Sequence, residues 1–353
     1  MIDPLLTQTA ERVFADTCGF DAVERAEEEG WAPEIWQAVA ETGLPWVSVP
    51  ETASGSGGTT GDALEILRVA GRHSAPIPLG ETGMLAGWLA AEAGCAVPEG
   101  PATVAPGTDL DTVALARGEL TGRVHRVPWA RAAERIVVLV DDAGALVVAS
   151  VRGSDVHIEP ATNLAGEPRD TVVFDGVAAA EVQPAPSTLS RAALHARGAM
   201  TRVALITGAL ERMCEVTLDY TNQREQFGKR VASFQAVQEH LVRVAQDAAM
   251  VRLALHAAAA AMERGAWSFE VAAAKTVANQ AASTATRHAH QAHGAMGMTR
   301  EYSLHHLSRR LWSWRSEFGS ERSWSRALGD AIVAAGADAF YPAITGGSRA
   351  VEV

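Results

Sequence analysis

The sequence predicts an α+β protein that is mostly α. It reads as an N-terminal helical domain over 1–100, a small middle β-barrel or sandwich over 101–183, and a C-terminal four-helix bundle over 188–340. Three observations carry this. Beyond Ser187, apolar residues recur every three or four positions (Val203, Ile206, Leu210, Met213, Val216, Tyr220), which is the spacing of one helix face. Between 136 and 175, I-V-V-L-V, A-L-V-V-A-S-V and T-V-V-F-D are β-branched runs of strand length. Before residue 100 the chain is punctuated as helices, with proline at starts and glycine at ends.

In the first part, Thr7–Phe14 and the acidic Asp21–Glu29 each predict a helix, and Pro33 opens a third that ends near Gly43. Leu44–Glu51, with a proline near each end, is expected to be extended. Gly55–Gly58 lies in a Gly/Ser loop, Asp62–Val69 forms a helix on its Leu64, Ile66 and Leu67 face, and Glu81–Ala93 forms another after Pro76 and Pro78. In the middle part, Asp141, Asp142 and Gly144 between two apolar runs predict a hairpin. A linker with Pro184 and Pro186 closes that domain. In the bundle, Phe234, Val237, Leu241, Val244, Ala248, Val251 and Leu255 follow a nearly strict 3-4 repeat, as in antiparallel packing. Further helices are expected over about 271–289 and 321–335.

With 353 residues the chain is long enough for two or three domains, and 48% hydrophobic against 20% charged residues argues for a globular protein. A net charge of -12 argues against nucleic acid as a partner. Cys18, Cys95 and Cys214 lack metal spacing and are expected to be reduced thiols of a cytoplasmic protein. Met1–Phe20 carries acidic residues and no apolar run, so no signal peptide is expected. No apolar stretch reaches membrane-spanning length.

The stretch most informative about chemistry is Y-T-N-Q-R-E-Q-F-G-K-R-V-A-S-F-Q-A-V-Q-E-H-L, Tyr220–Leu241. A helix ends in a short turn that gathers Arg224, Lys229 and Arg230 beside Gln226 and Phe227, with Gly228 where positive φ is needed. A second helix begins near Ala232, and its unpaired first amides add to the turn's positive potential. A bidentate arginine beside a helix N-terminus suits a diphosphate. A solvated basic loop between core helices is the competing reading. About sixty residues further on stands Q-A-H-G-A-M-G-M-T-R-E-Y, Gln291–Tyr302.

The pair R-x-Q-F-G-K…F-Q-x-x-Q and Q-x-H-G-x-x-G-x-T-x-E-Y, in this order and separated by two helices, resembles the C-terminal domain of the acyl-CoA dehydrogenase family. The N-terminal V-P-E (Val49–Glu51) and G-S-G-G (Gly55–Gly58) resemble the family's pattern at that place. The resemblance implies FAD as cofactor and α,β-dehydrogenation of an acyl-CoA thioester. It implies an electron-transferring flavoprotein as acceptor. It also implies that the two bundle motifs reach across a subunit interface to the ADP half of a neighbour's FAD. Carried onto this chain, Arg224 would bind the pyrophosphate and Phe227 would pack on the adenosine side. Gln226 would make a small polar contact, and Gln235 would reach the adenine or ribose. Gln291, Gly294 and Ala295 would complete the site, with Ala295 standing where the family has glycine. His293 is expected to be a satisfied interface histidine, and no metal site is expected.

The chain departs from the family in two places. Where a typical member has T-E-P-x-x-G-S-D to hold the flavin ring and the thioester, this chain has A-T-V-A-P-G-T-D, Ala102–Asp109. Where a typical member covers the ring with the Trp of W-I-T-N, this chain has V-P-W-A-R, and Trp129 reads as a buried structural residue. The usual catalytic base stands in Y-E-G-T; here that region is S-E-F-G-S-E, which puts Phe318 at the base position and Glu317 one residue early. One residue turns a helical side chain by roughly 100°. Glu317 is therefore the one candidate base there, and a solvated or salt-bridged Glu317, with Arg315 or Arg322 as partner, is the competing reading. At the family's alternative base position stands Gly198, beside Arg197. Intact partner-facing motifs with a lost ring motif and a displaced base resemble the short, non-catalytic subunit of α2β2 acyl-CoA dehydrogenases, which act on bulky, steroid-type CoA esters. The expected function is thus completion of a catalytic partner's FAD site in a heterotetramer. The alternatives are a self-sufficient homo-oligomeric dehydrogenase, with Glu317 as base and Trp129 over the flavin, and a flavin-free scaffold of the same fold.

Overall fold

The structure, a computed structural model, describes residues 3–105 and 111–353. Pro106–Asp109 of the A-T-V-A-P-G-T-D segment therefore lie outside the described residues, while Ala102–Ala105 form strand β1. The chain groups into two compact units, residues 1–66 with 75–198, and residues 67–74 with 199–353.

The first unit begins with helices α1 (Pro4–Thr17), α2 (Phe20–Glu29) and α3 (Pro33–Ala40). Proline stands in the first turn of α1 and of α3, where its missing N–H has no helical acceptor to serve. Helix α4 (Thr60–Arg72) follows, and its first half belongs to this unit. Leu44–Glu51 is not extended as the prolines suggested. After Gly43 at φ +75, Leu44–Trp46 forms a 3-10 turn with Pro45 inside it, because proline's fixed φ suits the start of a helical turn as well as extended chain. The predicted Glu81–Ala93 helix is a π-helix over Glu81–Gly87 that continues as α5 (Trp88–Ala93). Thr82 Oγ1 pins it to β1 by accepting from the Ala102 amide at 3.0 Å, and Arg197 Nε donates to the Met84 carbonyl at 3.2 Å.

The β part forms a sandwich of two four-stranded sheets. One has the order β1 (Ala102–Ala105), β4 (Arg135–Asp142), β5 (Ala145–Arg152), β8 (Glu181–Pro184), with β1 parallel to β4. The other is the antiparallel order β2 (Thr112–Ala116), β3 (Glu119–Pro128), β7 (Arg169–Ala178), β6 (His157–Glu159). Alternate residues of the two sheets, among them Ile136, Val138 and Val140 facing Val124, Val172 and Phe174, bury one apolar core. The predicted β4–β5 hairpin turns at Ala143 and Gly144, both at positive φ.

The second unit contains the rest of α4, most of α6 (Arg191–Gln223), α7 (Gln235–Glu263), α8 (Ser268–His293), α9 (Leu304–Trp314), α10 (Glu321–Ala335) and α11 (Phe340–Gly346). The long helices agree with the predicted bundle, and α9 and α11 are additional short ones. Two glycines bring α4 and α6 together at backbone distance. A Cβ on Gly208 would stand 1.7 Å from the Arg68 carbonyl oxygen, and one on Gly71 2.2 Å from that of Leu205. Buried Arg68 pairs with Glu211, and Arg72 grips Glu215 with two bonds of 2.6 and 2.8 Å on the same helix pair. No single helix among the described residues is long and apolar enough to cross a membrane.

Candidate functional site

The first site is the turn between α6 and α7. Glu225–Gln226 (β9) and Lys229–Arg230 (β10) pair as a minimal antiparallel hairpin. Its two turn residues are Phe227 at φ +52 and Gly228 at φ +74, which is the primed geometry that fits a tight hairpin. Phenylalanine bears the left-handed strain, and its ring is 92% exposed, touching the edge of Phe234 at 6.2 Å between centroids. Lys229 Nζ lies 4.3 Å over Phe234. Helix α7 starts at Gln235, later than Ala232, because Val231–Ser233 form a 3-10 turn first.

Arg224, Gln226, Phe227 and Gln235 are all exposed, and so are Gln291, Gly294 and Ala295 at the end of α8. Among the described residues the side chains of Arg224, Gln226, Gln235 and Gln291 make no hydrogen bond or ion pair. Such a donor set fits an anionic, hydrogen-bonding ligand such as the ADP half of FAD, because its polar heads are not spent within the chain. An aromatic stack ties the two motifs together. Tyr220, at the end of α6, lies face to face with His293 at 4.5 Å, and Tyr302 stands 5.6 Å from Tyr220 and 5.0 Å from His293. The Tyr302 hydroxyl donates to the Val216 carbonyl at 3.1 Å.

His293 is a core residue rather than the expected satisfied interface histidine. It is 3% exposed, its Nδ1–H donates to Ala289 at 2.8 Å, and its Nε2 finds no partner among the described residues. Burial holds its pKa below the ordinary histidine value, so the stacked ring is neutral.

The second site is the turn between α9 and α10, where a base would stand. Glu317 is turned inward. Its Oε2 accepts from Arg202 Nε at 2.6 Å; the arginine side chain is 1% exposed and that of Glu317 is 16% exposed. The salt-bridge partner is thus Arg202 of α6, not Arg315 or Arg322; Arg315 lies 3.9 Å from Glu321 instead. Phe318 takes φ +50 with its ring 5.2 Å beneath Arg202. Its carbonyl accepts from Trp324 Nε1 at 2.9 Å, and Asn279 Nδ2 donates to the Gly319 carbonyl at 3.3 Å. Fully buried Lys275 donates to Asn279 Oδ1 at 3.0 Å and to the Trp314 carbonyl at 2.9 Å. Burial lowers its pKa to about 7, against the raising field of Glu317. Helices α6, α8 and α10 therefore all hold this turn. The buried Arg202 guanidinium thus holds the Glu317 carboxylate in this turn.

Of the other residues considered, Gly198 lies within α6, and its neighbour Arg197 is stacked 4.4 Å over Trp88. Trp129 is 4% exposed in a left-handed turn, its amide bonded to the Pro168 carbonyl at 3.1 Å, and Arg169 stands 6.0 Å from its ring. Sequence reasoning missed Arg202 and Lys275. The signal was present as a lone cation among apolar neighbours in M-T-R-V-A and A-A-K-T-V.

Residues 191–324 match the family model described as "Acyl-CoA dehydrogenase, C-terminal domain". The acyl-CoA dehydrogenase IpdE2 of Mycolicibacterium smegmatis is 25% identical over 328 residues, covering 92% of this chain and 96% of the relative. Among solved structures, the ChsE4–ChsE5 complex from Mycobacterium tuberculosis shares the fold with a TM-score of 0.86 at 21% identity, covering 93% of this chain and 96% of that chain. A variant of the Tcur3481–Tcur3483 steroid ACAD does so with a TM-score of 0.83 at 24% identity, covering 94% of this chain and 98% of that chain. Residues 191–324 thus match the C-terminal domain of acyl-CoA dehydrogenases, and over its full length the chain is similar in sequence and fold to acyl-CoA dehydrogenases, which are oxidoreductases.

Proposed function

We propose that this chain is the subunit of a heteromeric, FAD-dependent acyl-CoA dehydrogenase that completes the flavin site of a catalytic partner. The observation that carries the reading is a contrast within one unit. Among the described residues the polar heads of Arg224, Gln226, Gln235 and Gln291 are exposed and unengaged, whereas Glu317 is held by buried Arg202. Trp129, at 4% exposure, adds to the contrast. Bound flavin supplies the hydride acceptor for α,β-dehydrogenation of the thioester. Within this chain, Arg224 neutralises the cofactor's diphosphate as a bidentate donor. Phe227 packs against the adenosine, and Gln226, Gln235 and Gln291 supply hydrogen bonds. Gly294 and Ala295 allow close approach of their backbone. The partner provides the base, and an electron-transferring flavoprotein takes the electrons.

A bulky, steroid-type CoA ester is the proposed substrate. Support comes from the likeness to the ChsE4–ChsE5 complex and to the Tcur3481–Tcur3483 steroid ACAD. A reducing, cytoplasmic setting belongs to the same proposal and suits Cys18, Cys95 and Cys214, which form no disulfide among the described residues.

The test is a flavin spectrum with native mass, on the chain alone and on the chain co-expressed with a full-length dehydrogenase encoded beside it. The expected result is a colourless chain alone and a yellow heteromer. A yellow chain that bleaches with an acyl-CoA by itself would promote Glu317 to base and end the proposal. Colourless protein in both preparations would favour a scaffold instead.

A further inference from the structure

A short connection joins α7 to α8, and the start of α7 lies beside the end of α8. His240, in the second turn of α7, meets His288 of α8 there. Their Nδ1 atoms are 2.8 Å apart, with the ring centroids at 5.0 Å. The first turns of α7 have little else to hold them. The buried residues of that helix begin only at Val244. Among the described residues, the histidine contact is the one side-chain hydrogen bond from residues 235–243 to α8.

Two imidazole nitrogens at this distance share one hydrogen. One ring donates its Nδ1–H; the other accepts on a bare Nδ1 and is therefore neutral. His288 is the acceptor. Burial, and then the fields of His240, Arg287 and Arg243, push its pKa below the ordinary histidine value, while Asp247 opposes them. A second proton would set N–H against N–H, and little beside the rings would offset the added charge. Buried Asp247 is already paired with Arg243 at 3.2 Å, and exposed Arg287 makes no ion pair among the described residues. The charges acting on His288 are thus His240, Arg243 and Asp247 of α7 and Arg287 of α8, with none from α6, α9 or α10 among them. No carboxylate bonds to either ring among the described residues. The two arginines also disfavour a metal cation between the rings.

We propose that the His240–His288 pair is a pH-sensitive latch, closed in neutral solution and opened in mildly acidic solution by protonation of both rings, which frees the start of α7 from the end of α8. Because the folded protein binds this proton less readily than the unfolded chain, the stability the latch contributes is complete above about pH 6.5. It is lost as the pH falls through the lower value of the folded state. Gln235 opens α7 and Gln291 stands a turn beyond His288, so an open latch parts these two residues. The consequence, a weaker hold on FAD, rests on the proposed function; the latch itself does not.

The test is amide hydrogen exchange, read by mass spectrometry and corrected for intrinsic rates, on the protein in the assembly in which it purifies. Peptides covering the start of α7 and the end of α8 are compared at about pH 7.5 and about pH 5.5, which bracket the ordinary histidine range. In the parent their protection should fall about tenfold or more at the lower pH, while residues 244–255 of α7 change less than about twofold. His288→Gln and His240→Gln should abolish the fall. A glutamine offers either an N–H or an oxygen to the remaining histidine, so it keeps the contact at both pH values. Equal protection of the parent at the two pH values would overturn the proposal. So would a fall of the same size in both variants. Flavin retained after gel filtration at each pH is a separate readout: unchanged flavin with an open latch would leave the latch standing and count against its link to FAD.

Discussion

Arg202 and Glu317 form an ion pair inside the bundle: Arg202 Nε donates to Glu317 Oε2 at 2.6 Å from a side chain that is 1% exposed. The residue nearest in sequence to the family's base position is therefore a structural anchor between α6 and the α9–α10 turn.

Removing one member of that pair leaves the other buried without its counter-charge. Glu317→Gln should cost about 3 kcal/mol of stability, whereas Arg202→Met with Glu317→Met should recover most of it. Urea unfolding of the two variants beside the parent measures the difference. The folded Glu317→Gln protein, assembled with its partner, should keep the parent's turnover. A loss of turnover by a factor of a thousand with stability intact would identify Glu317 as the base.

Arg224→Ala should separate cofactor binding from folding. The side chain is exposed and makes no ion pair among the described residues, so stability should change by no more than about 0.5 kcal/mol. A bidentate charge-assisted contact to a diphosphate is worth about 3 kcal/mol, which weakens FAD about a hundredfold. Flavin retained by the assembly after gel filtration reports the effect, and full retention would remove Arg224 from the site.

Gly208 and Gly329 should respond oppositely to alanine. At Gly208 the added Cβ would meet the Arg68 carbonyl oxygen at 1.7 Å, so α4 and α6 must separate, at a cost of about 3 kcal/mol or more. At Gly329 in α10 a Cβ meets nothing within 4 Å, and the helix gains about 0.5–1 kcal/mol from the lost flexibility. The urea midpoints of the two variants should move in opposite directions.

Lys275 should make stability rise with pH above neutrality. Burial lowers its pKa from 10.5 to about 7 in the folded protein, so between these values the unfolded chain binds more protons than the folded one. Stability is lowest, for this group, below about pH 7 and is regained as pH rises towards 10.5. The slope is at most about 1.4 kcal/mol per pH unit. Comparing urea unfolding of the parent and Lys275→Met from pH 7 to 9.5 isolates it. Equal slopes would show that the amine is charged in the fold.

Much of the fold was readable because it rests on local periodicity. The stripe from Val237 to Leu255 lies on α7, with Phe234 at its N-cap, and the fourth bundle helix spans Glu321–Ala335 as its pattern indicates. Leu44–Glu51 misled because proline permits extended chain and the first turn of a helix alike, and Gly43 decided for the turn. The π-helix at Glu81–Gly87 was not legible, since its register is set by contacts such as Thr82 with Ala102 rather than by its own residue pattern.

The sequence by itself determined the family resemblance, the composition of the Arg224 turn and the displacement of the base by one residue, because these are matters of residue type and spacing. Only the tertiary structure decided what each side chain does with its polar atoms. It put Arg202 from α6 against Glu317, 115 residues away in the chain, and stacked Tyr220 on His293 so that two distant motifs adjoin. It left the heads of Arg224 and Gln291 at the surface and unengaged among the described residues. The reason is that burial and pairing depend on what other elements bring to a position, and a charged side chain is anchored or available only according to the partner that long-range packing places beside it.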